Sequence, residues 1–341
     1  MQIGVITNPQ SRRNRHSPGR ADRLATIAGD HGLVRQTRGV GEIRAAVEDL
    51  LDGGASYLLS DGGDGSYHWL VNVVREVAEA RGAAMPCVVP TSGGTIDFVT
   101  KKAGLTTADV VLAALVQHLK AGRPVETAAL ATLDVTGRYA GQAAGSFRRL
   151  GFATAIGGVG QRFFSAYYEE PSQGGLAALL LILKAATGIV GSLPGVRRTR
   201  LVSDHYRSLG ARLTVGTRAR VTSGERVFPE TVFQGLHAGS IDVDLGAVRL
   251  FPLARPGQLH LVVGEMTPLE AAWKWAFLAA GRPAPGPRWH EFGGTELRVS
   301  APAGEALDPV IDGECYSGVT ELEVRPGPPI QIPILKLART R

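Results

Sequence analysis

Two glycine-rich turns, each placed directly after a short apolar strand, constrain this chain more than any other feature of it. SYLLS (56–60) runs into DGGDG (61–65), and PCVVP (86–90) runs into TSGGT (91–95). The rest of the first third keeps the same rhythm. QIGVIT (2–7) reads as a strand ending at the turn signal Asn8-Pro9, and ADRLATIAGDHG (21–32) as a helix closed by glycine. EIRAAVEDLLDGG (42–54) places Ile43, Ala46, Val47, Leu50 and Leu51 on one helical stripe. After the first glycine turn, Leu70, Val73, Val74, Val77 and Ala78 form another stripe, with Gly82 as the stop, and ADVVLAALVQHLKAG (108–122) is a further helix. Such alternation predicts a parallel sheet flanked by helices, with the turns gathered at the carboxyl ends of the strands, where open α/β sheets bind ligands.

Near residue 125 the pattern changes. Short, often alternating runs such as RLTVG, SIDVDLGAVRLF, QLHLVVGE, TELRVSA and TELEVRPG are separated by glycine and proline turns, and two helical inserts, 174–190 and 268–280, interrupt them. The expected organisation is an α/β domain over 1–125 and a β-rich, sandwich-like domain over 126–325, with a segment from about 326 to 341 returning to the first. A chain of 341 residues suits two cores of this size.

The formal net charge of +6 favours anionic partners without choosing among them. Cys87 and Cys315 stand alone, with no CxxC or Cys/His spacing that suggests zinc. The first ten residues, MQIGVITNPQ, lack the basic and apolar regions of a signal peptide. The run GGLAALLLILKAATGIV (174–190) is interrupted by Lys184 and sits at the short edge of spanning length, so it reads as a buried or interfacial helix.

Strand, GGDG, helix puts backbone N–H groups at a helix N-terminus, which attracts anions through unpaired donors and the helix dipole. No GK[ST] follows, so this is not a P-loop, and the spacing is not GxGxxG. Asp64 is the odd element, because a bare carboxylate repels phosphate. Three tasks stay open for it: facing a divalent metal, handling a proton or orienting a hydroxyl, or shaping the loop. Taken alone, the string reads first as a tight turn or helix cap. The second glycine turn, with the hydroxyl of Thr95 and the carboxylate of Asp97 nearby, shifts the balance towards a ligand site. NPQSRRNR (8–15), after the first strand, adds Asn8 and Ser11 as hydrogen-bonding groups, and Arg12, Arg13 and Arg15 as groups able to meet phosphate or simply to be solvated.

These pieces together resemble the diacylglycerol kinase catalytic family, which includes bacterial lipid kinases, sphingosine kinases and ceramide kinases, with NAD kinases as remoter relatives. NPQS (8–11) resembles the family's NPxSG, GGDGS (62–66) its GGDGT, SGGTIDFV (92–99) its GTxND-type loop, and DGE (312–314) its DGE motif, all in the family's order. TELEVRPGPPIQIPI (320–334) is similar to its closing strands. The resemblance implies an NAD-kinase-like nucleotide-binding domain followed by a β-rich domain, ATP as phosphoryl donor and a requirement for Mg²⁺. It implies a nucleotide site lined by Asn8, Pro9, Ser11, Arg12, Thr37, Gly62, Gly63, Asp64, Gly65, Ser66, Gly94 and Thr95. Glu314 would be the catalytic base, assisted by Asp312 and Asp64, which are also the candidate metal ligands. A DG pair is also a strong hairpin signal on its own. The sequence departs from the family in Ser66 for threonine, in Asp97 for asparagine and in Pro256, which replaces an aspartate before a strand and puts a second, structural Mg²⁺ site in question. GSFRRLGFATAIGG (145–158) lacks an expected asparagine.

The implied partners are a neutral lipid, diacylglycerol first and a ceramide or sphingoid base as the rival, and an anionic membrane surface, with no nucleic acid. The oligomeric state is left open, a homodimer being one option. The implied location is cytoplasmic, peripheral to the inner face of the membrane. The apolar run at 176–190, RRTR (197–200), and Trp273 and Trp275 would serve the lipid side, or else be core and solvated surface. An NAD-kinase relative and a degenerate nucleotide- or lipid-sensing protein complete the set of readings.

Overall fold

The computed structural model describes residues 2–141, 145–170, 175–197, 201–244 and 248–337. Most of the basic run RRTR, from 198 to 200, lies outside the described residues, as does the side chain of Trp275. The chain forms two compact units, Met1–Leu130 with Pro329–Arg341, and Ala131–Pro328.

In the first unit the order is β1 (Gln2–Thr7), α1 (Arg20–Ala28), β2 (Gly32–Gln36), α2 (Val40–Asp52), β3 (Ala55–Asp61), α3 (Asp64–Ala80), β4 (Cys87–Pro90), α4 (Phe98–Lys102) and α5 (Ala108–Lys120). The four strands pair in parallel in the order β2-β1-β3-β4. From β1 the chain moves outward to β2, then returns past β1 to β3. That reversal makes the gap between the ends of β1 and β3 the switch point at which such sheets take ligands. On one face Val5, Leu59 and Val89 meet Leu24 and Ala28 of α1 and Val111, Leu112 and Leu115 of α5. On the other, α2 buries Ile43, Val47 and Leu50, and α3 buries Leu70, Val74 and Val77. The approach of α2 is close: a Cβ on Gly4 would lie 2.7 Å from Leu58 Cδ2 and 3.0 Å from Leu50 Cδ1.

One local expectation is corrected here, and two short elements, β2 and α4, come in addition to those expected. The helix expected over 21–32 ends at Ala28, because Gly29 takes φ +53°, and GLVRQ becomes the edge strand β2. Leu33 and Val34 are only half-buried there, so their pattern is weak. The five-residue α4 is too short to carry a helical period.

The second unit contains β5 (Thr127–Tyr139), β6 (Ser146–Gly151), β7 (Ala153–Gly158), α6 (Val159–Glu169), α7 (Gly175–Gly191), α8 (Pro194–Arg197), α9 (Asp204–Leu213), β8 (Thr217–Ser223), β9 (Arg226–Phe233), β10 (Gly235–Gly239), β11 (Val243–Asp244), β12 (Arg249–Leu250), β13 (Leu259–Gly264), α10 (Pro268–Ala279), β14 (Trp289–Gly294), β15 (Leu297–Ser300), β16 (Val310–Ile311), β17 (Glu314–Cys315) and β18 (Val319–Pro333). Strands β5 and β18 begin or end in the first unit. Two six-stranded sheets, β14-β13-β10-β7-β16-β17 and β6-β5-β18-β15-β8-β9, share one core. Leu236, Ala238, Leu261, Val263 and Ile156 from the first meet Leu133, Val135, Val221, Val299 and Leu322 from the second. This is the β-rich sandwich that the alternating runs predict. Helices α6 and α9 come in addition to the two expected inserts; Phe163, Ala166 and Tyr167 of α6 pack with Leu181 and Ala185 of α7 and Leu209 and Leu213 of α9.

His237 on β10 is packed against the start of α6, where a Cβ on Gly160 would lie 2.5 Å from its Cε1. Burial pulls its pKa down from 6.5 to about 4, with Glu291 working the other way. The unfolded chain therefore takes up this proton first as the pH falls. His237 contributes stability above pH 6.5 that is lost as the pH drops towards 4. The expected outcome is a urea midpoint for the second unit that declines across this window, and a shallower decline in His237→Gln. An identical slope in that variant would refute the assignment.

Candidate active site

At the switch point the first unit is organised by a buried carboxylate that closes β3. Asp61 is 1% exposed. Its Oδ2 accepts from Thr7 Oγ1 (2.7 Å), Asn14 Nδ2 (3.0 Å) and Arg20 Nε (3.0 Å), and its Oδ1 from Arg20 Nη2 (2.8 Å). Arg20 reaches on to Asp109 Oδ2 at 2.6 Å, at the start of α5, where Arg23 also pairs. Hydrogen bonding to Asp61 holds the Arg20 guanidinium above its already high pKa, against desolvation. One residue thus ties together the ends of β1 and β3, the 8–15 loop and the starts of α1 and α5. A buried ion pair of this kind is favourable only when every lone pair finds a donor, which Thr7 and Asn14 help supply.

The 8–15 loop is pinned to the glycine turns. Asn8 N–H donates to Asp61 O (3.2 Å), Asn8 Nδ2 to Ser66 Oγ (3.0 Å), and Ser11 N–H back to Asn8 O (3.2 Å). The Asn8–Ser66 bond spans the β1/β3 gap. Arg13 N–H donates to Gly93 O (3.3 Å) and Arg13 Nη1 to Ser92 O (3.4 Å), so this arginine binds the loop to the second turn. Thr37 is buried after β2, its N–H on Thr7 O at 3.0 Å.

The two glycine turns touch through their backbones. A Cβ on Gly63 would lie 2.5 Å from Gly94 Cα, one on Gly94 2.6 Å from Gly63 Cα, and one on Gly93 2.9 Å from Gly62 O. No side chain fits between them, which is the physical reason for glycine at these three positions. A Cβ on Gly62 would meet Ser66 at 2.5 Å. Asp97, at φ +52°, turns its carboxylate back over the second turn, where Oδ1 accepts from Gly94 N–H (2.9 Å) and Gly93 N–H (3.4 Å). Its burial raises its pKa, offset in part by those two N–H groups.

Asp64 is the first residue of α3, not a loop residue, and both its oxygens are engaged. Oδ2 accepts from Phe98 N–H (3.2 Å) and Oδ1 from Val99 N–H (3.3 Å), the first two amides of α4. Its charge therefore lies against a helix N-terminus, and it fastens the two glycine turns from behind. No side chain caps α3 itself, so the first-turn amides of Asp64, Gly65 and Ser66 receive no acceptor from the residue at its N-cap, Gly63. Gly65 and Thr95 are half-buried, and Pro9 and the exposed Arg12 lie on the 8–15 loop.

In the second unit Asp312 and Gly313 form the two-residue turn between β16 and β17, at φ +51° and +94°, with Ile311 paired to Glu314. Asp312 is buried, and its Oδ1 accepts from Phe152 N–H (2.8 Å) and Ala153 N–H (2.9 Å). Tyr168 Oη donates to Gly313 O at 2.6 Å. DGE is therefore a rigid hairpin that carries a half-buried Glu314 on its outgoing strand.

The structure thus brings Asn8, Gly62, Gly63, Ser66 and Gly94 into mutual contact in the first unit, and sets Asp312 and Glu314 on one turn in the second. The sequence reading missed Asp61, Asn14, Arg20 and Asp109. A charged residue closing the apolar strand SYLLS was the available signal, since a carboxylate there needs a buried partner. Among the described residues no group of three or more His, Cys, Asp or Glu side chains is arranged to hold a metal. The candidate ligands Asp64 and Asp312 both accept backbone N–H groups. These residues do not build a protein metal cage. Pro256, with Gly257 at φ +74°, makes the tight turn joining Arg255 to Gln258 and offers no carboxylate.

Residues 2–130 match the family model described as the diacylglycerol kinase catalytic domain. That stretch holds three of the four motifs, 8–11, 62–66 and 92–99; DGE at 312–314 lies outside it. Three solved structures from Bacillus anthracis str. Sterne share the fold. One, provisionally assigned as a diacylglycerol kinase, is 12% identical at a TM-score of 0.64, covering 98% of this chain and 97% of its own. A second, described as a diacylglycerol kinase, is 11% identical at 0.58 over the same shares. A third, again provisionally assigned, is 12% identical at 0.60, over 96% and 94%. No curated protein matches the chain.

Two outcomes test this site. Gly63→Ala forces a methyl group into the Gly94 backbone, so ATP binding measured by calorimetry should fall at least about tenfold, while the far-UV spectrum stays that of the wild type. Asp61→Asn leaves the buried Arg20 charge short of its main partner. The first unit should lose roughly 3–5 kcal/mol in urea unfolding; a loss below about 1 kcal/mol would show that the network does not organise the unit.

Proposed function

We propose that this protein is an ATP-dependent kinase that transfers the γ-phosphoryl group to a hydroxyl of a neutral lipid, with diacylglycerol as the first candidate acceptor. The observation that carries the reading is the pair of interlocked glycine turns at the switch point of a domain matching the diacylglycerol kinase catalytic family. Turns whose backbones touch leave no room for side chains; with the Gly93 and Gly94 amides taken by Asp97, the first turn, at the N-terminus of α3, is the one that would face phosphate oxygens. In this reading Asn8, Pro9, Ser11, Arg12, Thr37, Gly62, Gly63, Asp64, Gly65, Ser66, Gly94 and Thr95 line the nucleotide site. Asp64 serves there by holding the turns in register. Mg²⁺ would enter with the nucleotide's phosphates, as is usual for an ion that keeps its waters, and would neutralise charge on them.

Glu314 is the proposed base. Its carboxylate takes the proton of the acceptor hydroxyl while that oxygen bonds to the γ-phosphorus and the bond from the γ-phosphorus to the β,γ-bridging oxygen breaks, releasing ADP. Asp312 positions it: the turn is locked by the two N–H bonds to its carboxylate, so the next side chain but one leaves the hairpin in a set direction.

A lipid acceptor is supported by α7. Leu176, Leu180, Leu183 and Val190 recur on one face of that helix and are 70%, 45%, 53% and 44% exposed. An exposed apolar stripe of this length suits acyl chains or the surface of a bilayer. Arg197 lies just beyond the helix. Among the described residues no helix is long and apolar enough to cross a membrane. We propose peripheral attachment to an anionic inner leaflet on this basis.

The test is incubation with labelled ATP and Mg²⁺ and a panel of diacylglycerol, ceramide, sphingosine and NAD. Label should enter diacylglycerol and fall by roughly 10²–10⁴ in Glu314→Gln, with ATP affinity unchanged. Label in ceramide or sphingosine would replace the acceptor, label in NAD would replace the class, and full turnover in Glu314→Gln would remove the base.

A further inference from the structure

Within the second unit the Asp312-Gly313 turn is held from two directions. From the sandwich, the amides of Phe152 and Ala153, where β6 gives way to β7, hold the Asp312 carboxylate. From the helices, Tyr168 Oη near the end of α6 donates to Gly313 O at 2.6 Å. The two contacts act on different parts of the turn. The first anchors a side chain. The second anchors a peptide group, because Gly313 C=O and Glu314 N–H belong to one rigid plane. Gly313 sits at φ +94°, and a Cβ there would lie 3.0 Å from Tyr168 Oη, so glycine admits both the turn and the close approach of the hydroxyl. The same residue leaves the backbone freer to rotate than any other would. The Tyr168 bond removes that freedom at the plane that leads into Glu314.

Tyr168 is 44% exposed, so burial alone does not fix its hydroxyl. Its ring is set by neighbours on its own helix: Phe164, one turn back, at 6.3 Å between ring centroids, and Tyr167 at 5.7 Å. Tyr167 is buried, and with Phe163 and Ala166 it enters the core shared with Leu181 and Ala185 of α7 and Leu209 and Leu213 of α9. Helix α6 thus has one face in the helical core and another on the turn. A single hydrogen bond between neutral groups adds little net stability. Here it acts on the peptide next to the proposed base, where a displacement of about 1 Å is costly to proton transfer.

We propose that Tyr168 is a positioning residue for Glu314: it sets the plane of the Gly313–Glu314 peptide, and so ties the direction of the Glu314 carboxylate to the helical core of α6, α7 and α9. The inference rests on the lipid-kinase reading above and deepens it by one residue. Tyr168 acts through the turn, without contact to nucleotide or acceptor. Because α6 packs on α7, the helix with the exposed leucine stripe and the turn with the base are mechanically joined inside one unit.

Kinetics of transfer from labelled ATP to dioctanoylglycerol by the full chain test this, beside hydrogen–deuterium exchange of residues 312–316. Wild type, Tyr168→Phe, Glu314→Gln, the double variant and Tyr206→Phe are compared; Tyr206 is a half-buried tyrosine on α9 whose hydroxyl makes no hydrogen bond among the described residues. Tyr168→Phe should lower kcat about tenfold and leave both KM values and the urea midpoint unchanged. Amides of 312–316 should exchange about fivefold faster in it, while those of α6, α7 and α9 keep the wild-type rate. With Glu314→Gln already present, Tyr168→Phe should cost less than about twofold, since no base remains to be positioned. The Tyr206→Phe control should match the wild type. Wild-type kcat or unchanged exchange in Tyr168→Phe overturns the proposal. So does a loss confined to the KM for lipid, which would make Tyr168 an acceptor-binding residue, and so does an equal loss with and without Glu314. Failure of the lipid-kinase reading is separate: it would show as a wild type that labels no lipid although exchange of 312–316 still rises in Tyr168→Phe.

Discussion

The first unit depends on a single buried ion pair, Asp61 with Arg20. A carboxylate at 1% exposure is tolerable only if its lone pairs are filled, and here a threonine, an asparagine and a guanidinium fill them. Those donors come from three different segments. Satisfying one charge therefore sets the ends of β1 and β3 at a defined separation and brings α1 and α5 to the same side. The gap that results is where Asn8 and Ser66 meet.

On that base a second constraint operates at much shorter range. The glycine turns after β3 and β4 touch Cα to backbone, and they are fastened by two carboxylates that work in opposite senses. Asp97 reaches back to the amides of its own turn, whereas Asp64 reaches across to the amides that open α4. The negative charge of Asp64 is thereby held against a helix N-terminus. The result is a stiff pair of backbone turns at the ends of β3 and β4.

The second unit fixes its Asp312-Gly313 turn by similar means. A DG pair is a strong hairpin signal, and the φ values of Asp312 and Gly313 are those of such a turn. The hairpin reading and the DGE motif reading are thus compatible. The turn fixes the direction of the outgoing strand, and the Asp312 carboxylate locks it to the junction between β6 and β7. Nearby, helices α6, α7 and α9 make a small core of their own, leaving one leucine-rich face of α7 exposed.

The amino-acid sequence by itself determined the class of fold: strand–helix alternation to about residue 125, alternating strands afterwards, and the motifs in their order. These are legible because hydrophobic period and turn chemistry act over a few residues. It was weak where the local signal is short, as at β2 and α4, and where helices interrupt strands, as at α6 and α9. Only the tertiary structure decided what each residue of the motifs meets. Periodicity could not reveal that Gly63 packs on Gly94, that Asp64 caps α4, or that the aspartate closing SYLLS is the buried hub rather than its neighbour in the glycine turn. Asp64 and Phe98 are 34 positions apart along the chain, and Arg20 and Asp61 are 41 apart. Pairings at such range are set by packing and charge compensation, which leave no periodic trace in the chain.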